Sequence, residues 1–180
     1  EHVTGKRIKE AILKWDTYID FDCEYYYHAR SLKERQCPYT NNELRKAPNG
    51  VTWHGRYNYI GQSHYYFSDM PKGAVMEVGK PTKDSRVQVA KLKPIKSIRM
   101  IDLSHETTSK NKFLDYCRFA PKPEEYPLIK KEYLIPCYVA SCCKKQGIEG
   151  IKYYGSKEYK NYVSWDDTYF DIVDSEIKNK

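Results

Sequence analysis

Gly55-Arg56-Tyr57-Asn58-Tyr59-Ile60-Gly61-Gln62-Ser63-His64-Tyr65-Tyr66-Phe67-Ser68-Asp69-Met70-Pro71-Lys72-Gly73-Ala74-Val75-Met76-Glu77 runs through the middle of the chain. It changes character twice. Glycines at 55 and 61 flank an Arg and an Asn, so backbone can approach a ligand closely while the guanidinium meets an anion. Tyr65-Tyr66-Phe67 is a short aromatic run of strand type. Ser68 or Asp69 can cap a helix with Pro71 in its first turn, carried through Ala74, Val75 and Glu77 to Val78. A loop, a strand and a helix in so few residues put an Arg, a ring face and a carboxylate close together.

Outward from this stretch the pattern alternates between helix and strand. Upstream, Ile8, Ala11, Ile12, Trp15 and Ile19 recur at helical period, with Thr4 as cap. Cys23 to Arg30 reads as a Tyr-dense strand, and residues 31–55 read as a long polar loop. Downstream, Val87, Val89 and Leu92 alternate, then Ile98, Met100 and Leu103, both as strands. A short helix is expected near Phe113–Phe119. Ile135, Tyr138, Val139, Cys142 and Cys143 form a helical stripe, with Pro136 in its first turn and Gly147 at its end. Gly150–Tyr154 and Tyr162–Trp165 read as two strands about the Gly155–Ser156 turn. From Asp171 the chain is charged and is expected to fray. The expectation is a single α+β domain.

Composition bounds the function classes. The chain has 180 residues, enough for a core without staples. Its 31 Lys plus Arg against 24 Asp plus Glu give a net charge of +7. Eighteen tyrosines supply most of its aromatic share and suggest a ligand with phosphates and rings, a nucleic acid or a nucleotide. Lys and Arg are interspersed with acids rather than blocked, which argues against a tracked polymer. No apolar run approaches the roughly 18–20 residues of a membrane span, and no signal-peptide pattern opens the chain. The first residue is Glu1, so a longer protein is expected around it. The six cysteines hold no CxxC and no zinc-finger spacing, and Cys142 and Cys143 are adjacent. This reads as reduced thiols in a cytoplasmic protein, with no metal expected.

Taken singly, the candidate residues have plain readings: Arg56 as a solvated charge, Glu77 as helix surface, Ser156 as turn chemistry, Ser68 as a cap. Taken in order, they resemble a known pattern. The stretch Gly55 to Glu77, Asp102-Leu103 after a strand, and the segment from Gly147 through Gly150-Ile151 and Tyr153 to Asn161-Tyr162-Val163 resemble the RES domain family, across roughly residues 23–172. The resemblance implies an ADP-ribosyltransferase-like domain with a central split β-sheet and flanking helices. It leaves 1–22 as an N-terminal helix and linker and 173–180 as a tail.

The resemblance further implies an enzyme that consumes NAD+ by cleaving the nicotinamide–ribose bond, as a glycohydrolase, phosphorylase or ADP-ribosyltransferase, acting as a toxin or effector. Its partners would be NAD+ and an antitoxin or immunity protein or other domains of a longer chain, with neither nucleic acid nor membrane expected. Glu77, Arg56 and Arg30 are the implied catalytic residues. Tyr66, Tyr27, His28, Asn58, Ser68 and Ser156 are the implied binding residues. Two departures stand out. Where relatives read aromatic-Arg-Ala-Arg, this chain has His28 before Ala29-Arg30. The family's Ser aligns with Gly155 or Ser156. A RES fold that binds a nucleotide without catalysis, and a single-stranded RNA-binding domain, are the alternative readings.

Overall fold

The computed structural model describes residues 2–104, 114 and 129–179. Helix α1 spans Val3–Leu13 and strand β1 Tyr26–Lys33. Strand β2 covers Tyr65–Ser68, helix α2 Pro71–Val78, β3 Ser85–Pro94 and β4 Met100–Leu103. A 3-10 turn at Lys131–Tyr133 leads into α3, Leu134–Lys145. Strands β5 (Gly150–Tyr154), β6 (Lys160–Ser164) and β7 (Phe170–Lys178) close the chain. Of the short helix expected near Phe113–Phe119, only Leu114 lies among the described residues, where it is helical and buried.

The seven strands form one sheet in the order β4-β5-β6-β2-β1-β3-β7. Only β4 and β5 run parallel; the other neighbours are antiparallel. The protein is therefore a mixed α+β domain, as its sequence predicts. Strands β1 and β3 register from Tyr26↔Leu92 to Lys33↔Ser85, and β2 and β6 from Tyr65↔Ser164 to Ser68↔Asn161. Between β1 and β2 the ladder registers at Tyr27↔Ser68 alone among the described residues. The sheet is thus split at its centre.

The two largest hydrophobic clusters sit on opposite faces of the sheet. On one, Ile8 and Ile12 of α1 and Val139, Ala140, Cys142 and Cys143 of α3 pack on Ile101, Leu103, Ile151, Tyr153 and Val163. The stripe read from the sequence thus buries the cysteine pair as small apolar groups. On the other, Tyr26, Tyr65, Phe67, Tyr162 and Phe170 interlock, with Phe67 and Tyr162 stacked 5.3 Å apart. Many of the tyrosines are core residues: Tyr26, Tyr57, Tyr65, Tyr153 and Tyr162 are buried.

Several boundaries differ from expectation, and α2 is capped at Met70 without a side-chain bond rather than by Ser68 or Asp69. The cap of α1 is His2, whose Nδ1 accepts from the Thr4 N–H, so Thr4 lies inside the helix. Helix α1 stops before Trp15, and Ile19 bridges to Met100 instead. Strand β1 starts at Tyr26 and runs on to Lys33 because β3 offers a partner along its whole length. The charged C-terminal segment does not fray: β7 pairs with β3 from Pro94↔Phe170 to Val87↔Lys178. Its alternating charges are what an edge strand tolerates on its wet face.

Candidate functional site

A cleft of about 490 Å³ opens where β1 and β2 diverge. Its walls are His28 and Ala29 of β1, Tyr66 and Phe67 of β2, Ala74 and Glu77 of α2, and the loop His54-Gly55-Arg56. Lys130 and Tyr133, which precede α3, complete it. The volume falls within the range of small-molecule sites, about 300–1,000 Å³.

Glu77 sits on the last turn of α2, whose start is fixed by tight packing. A Cβ on Gly73 would lie 2.1 Å from Ser68 Oγ and 2.6 Å from the Tyr159 ring, so only glycine lets the helix approach the sheet this closely. The side-chain amide of Asn161, on β6, donates to Glu77 Oε1.

Arg56 lies with its guanidinium 5.2 Å from the centre of the Tyr153 ring. Burial works against its charge, but Tyr153, Tyr57, Glu77 and Tyr133 around it outweigh that and strengthen its hold on the proton. The loop carrying it is held from below. Cys137 Sγ donates toward the Gly55 and Arg56 carbonyls, and His54 Nδ1 accepts from the Lys130 N–H at 2.8 Å. Burial pushes the Cys137 thiol up to about 12, so it remains a thiol and acts as a donor.

Tyr66 lines the cleft, and its hydroxyl is committed to structure. It accepts from the Tyr57 N–H at 3.0 Å and donates to Asn58 Oδ1 at 2.8 Å. Burial holds its phenol firmly protonated. Asn58 is buried and also donates to the Trp53 and Tyr59 carbonyls.

His28 closes the gap between the diverging strands. Its Nδ1 donates to the Tyr66 carbonyl at 2.7 Å, and its ring packs on Tyr65 at 4.5 Å. A carbonyl can only accept, so Nδ1 carries the proton. Nε2 is buried with no hydrogen-bond partner among the described residues. Burial, assisted by Arg30 nearby, lowers the His28 pKa to about 4, so the ring is neutral near pH 7.

The structure therefore gathers Arg56, Glu77, Tyr66 and His28 at one cleft. The other expected residues lie elsewhere. Arg30 donates to the Arg45 carbonyl at 2.7 Å and sits over the Tyr39 ring. Tyr27 packs beside Ala29, Ala74, Val75, Val87 and Val89. Asn58 stands behind Tyr66. Ser68 is fully buried and donates to the Lys160 carbonyl at 2.8 Å. Ser156 accepts from the Glu158 N–H in the β5–β6 turn. Gly155 is pressed on Tyr159: a Cβ there would stand 2.5 Å from that ring.

Sequence reasoning missed Asn161, Tyr133, His54 and Lys130. For Asn161 a signal existed, a polar residue within the apolar pattern of β6. The others reach the cleft through long-range contacts that no local motif marks. Among the described residues no group of three or more His, Cys, Asp or Glu could hold a metal ion, and no helix is long and apolar enough to cross a membrane.

No family model matches the chain, and no curated protein does. Among solved structures, the chain is similar to one in the crystal structure of the M. tuberculosis MbcT–MbcA toxin–antitoxin complex. The match has a TM-score of 0.59 at 12% identity and covers 99% of this chain and 93% of the other. At that identity the likeness is one of fold, and it extends over the whole domain.

Proposed function

We propose that the protein is an NAD+-consuming enzyme of RES type that cleaves the nicotinamide–ribose bond and acts as a toxin restrained by a partner protein. One observation carries the reading: Arg56, Glu77 and the Tyr66 ring, from a loop, a helix and a strand, line the same cleft. The fold likeness to a chain of a toxin–antitoxin complex supports the toxin role and the partner.

The chemistry follows from the residues. Nicotinamide departs through an oxocarbenium-like transition state, and a carboxylate beside that cation stabilises it. Glu77 takes this role and can hold ribose hydroxyls. Arg56 would meet the pyrophosphate, with Lys130 also lining the cleft. The Tyr66 ring, or Tyr133 opposite, takes the flat nicotinamide. Arg30, turned to the Arg45 carbonyl, serves the loop rather than the anion.

A second reading, nucleotide binding without turnover, is favoured by one feature: a neutral His28 stands where relatives carry a cationic Arg, so the cleft has less charge for phosphates. Incubating purified protein with NAD+ and resolving the products separates the two. The enzyme releases nicotinamide, with free, phosphorylated or protein-bound ADP-ribose beside it. Glu77→Gln abolishes release while melting as the parent does. Undiminished turnover in that variant refutes the assignment, and NAD+ binding without nicotinamide release establishes the second reading.

A further inference from the structure

Glu77 occupies an unpromising place for a catalytic carboxylate. It lies in the last turn of an eight-residue helix, flanked by exposed Met76 and Val78, and the helix ends at Gly79 with φ +96°. Helix ends fray, and a side chain there samples several rotamers. A catalytic group loses rate steeply when it wanders by an ångström. Something outside the helix must hold it.

Asn161 is placed to do so. It is the second residue of β6, a strand paired on both sides, and is only 2% exposed. Its backbone stands between Ser68 of β2 and Tyr153 of β5. Its Nδ2 donates to Glu77 Oε1. The opposite end of its amide, Oδ1, is buried without a partner among the described residues. An orphaned buried acceptor is a cost that a small apolar residue in the strand would avoid. The fold keeps the amide for its donor end.

We propose that Asn161 is the positioning residue for Glu77, tying the carboxylate to the rigid sheet through Oε1 and leaving Oε2 for the ribose. This rests on the catalytic role of Glu77 given above. The residue type is specific. Asp at 161 sets a carboxylate against a carboxylate, and two such groups in contact share a proton. The other charged and titratable groups facing Glu77 are Arg56 from the loop, Tyr66 from β2, Tyr133 before α3, Tyr153 from β5 and Tyr159 from the β5–β6 turn. They are unchanged in the variants.

The test uses the full chain with NAD+ as the probe. Asn161→Ala lowers kcat by about 10-fold or more while KM stays within about 2-fold, because orientation rather than binding is lost. Asn161→Asp also moves the acid limb of the pH–rate profile upward by about one unit, a shift that a merely structural residue does not produce. A double-mutant cycle on unfolding, pairing Glu77→Ala with Asn161→Ala, reads the contact without activity and is expected to be non-additive. Parental kcat in folded Asn161→Ala, or additivity in the cycle, overturns this proposal alone when the parent is active. A parent that never releases nicotinamide overturns both this and the enzymatic reading.

Discussion

Tyr66→Phe separates two roles that one side chain combines. The ring lines the cleft, while the hydroxyl joins the Tyr57 N–H to Asn58 Oδ1 at 3.0 and 2.8 Å. Removing the oxygen leaves the ring in place and takes one partner from each of those groups. Asn58 is 3% exposed, so water does not replace the lost donor freely. A buried polar group deprived of its partner costs about 1–3 kcal/mol, so the pair should cost about 2–4 kcal/mol. Urea unfolding of parent and variant measures this directly, and an unchanged m-value certifies that stability alone has moved. In the same samples, affinity for NAD+ should fall by less than about 3-fold, because the stacking face is retained. A loss below about 0.5 kcal/mol would show that the hydroxyl bonds do not support the site.

Two further outcomes are expected. Gly155→Ser places the residue type of the RES pattern at one of the two positions it could align with, yet its Cβ would meet the Tyr159 ring at 2.5 Å and the Tyr159 carbonyl at 3.1 Å. The variant should lose about 1–3 kcal/mol and gain no activity, and a stable, more active Gly155→Ser would refute the packing argument. Burial lowers the His28 pKa to about 4, so the unfolded chain binds this proton first as pH falls from about 6.5. The contribution of neutral His28 is complete above the unfolded value and is lost progressively between about 6.5 and 4. His28→Gln should flatten stability against pH across that window; since His64, lowered to about 3 by burial and Lys144, keeps its own slope, the comparison is a difference between two curves.

The helices and strands were legible where local signals agreed. The stripe Ile135–Cys143, the Pro71 start and the Tyr65–Phe67 run each mark an element within a residue or two of its place. Failures fell where a distant partner decides. Strand β7 exists because β3 supplies eight residues of ladder, which the charged local sequence does not announce. Arg56, Glu77 and Tyr66 were readable because loop, strand and helix follow one another within a short stretch, so the site is partly local. Ser68 and Asn58 belong to that stretch but face inward, a matter of side-chain direction that spacing does not fix. Arg30 entered through the aromatic-x-Ala-Arg resemblance, and the structure gives its charge a backbone carbonyl as partner.

The divergence of β1 from β2 has a mechanical meaning. It divides the sheet into β4-β5-β6-β2 on one side and β1-β3-β7 on the other. Glu77's tether on β6 belongs to the first group and His28 to the second. In chain order the polypeptide passes β1 to β2, β2 to β3, β3 to β4 and β6 to β7, each time from one group to the other. The halves are therefore laced together and cannot part as separate bodies, yet the stitch between them is narrow. Any shear along it changes the width of the cleft directly. A binder that grips both halves would set the gauge of the site without entering it.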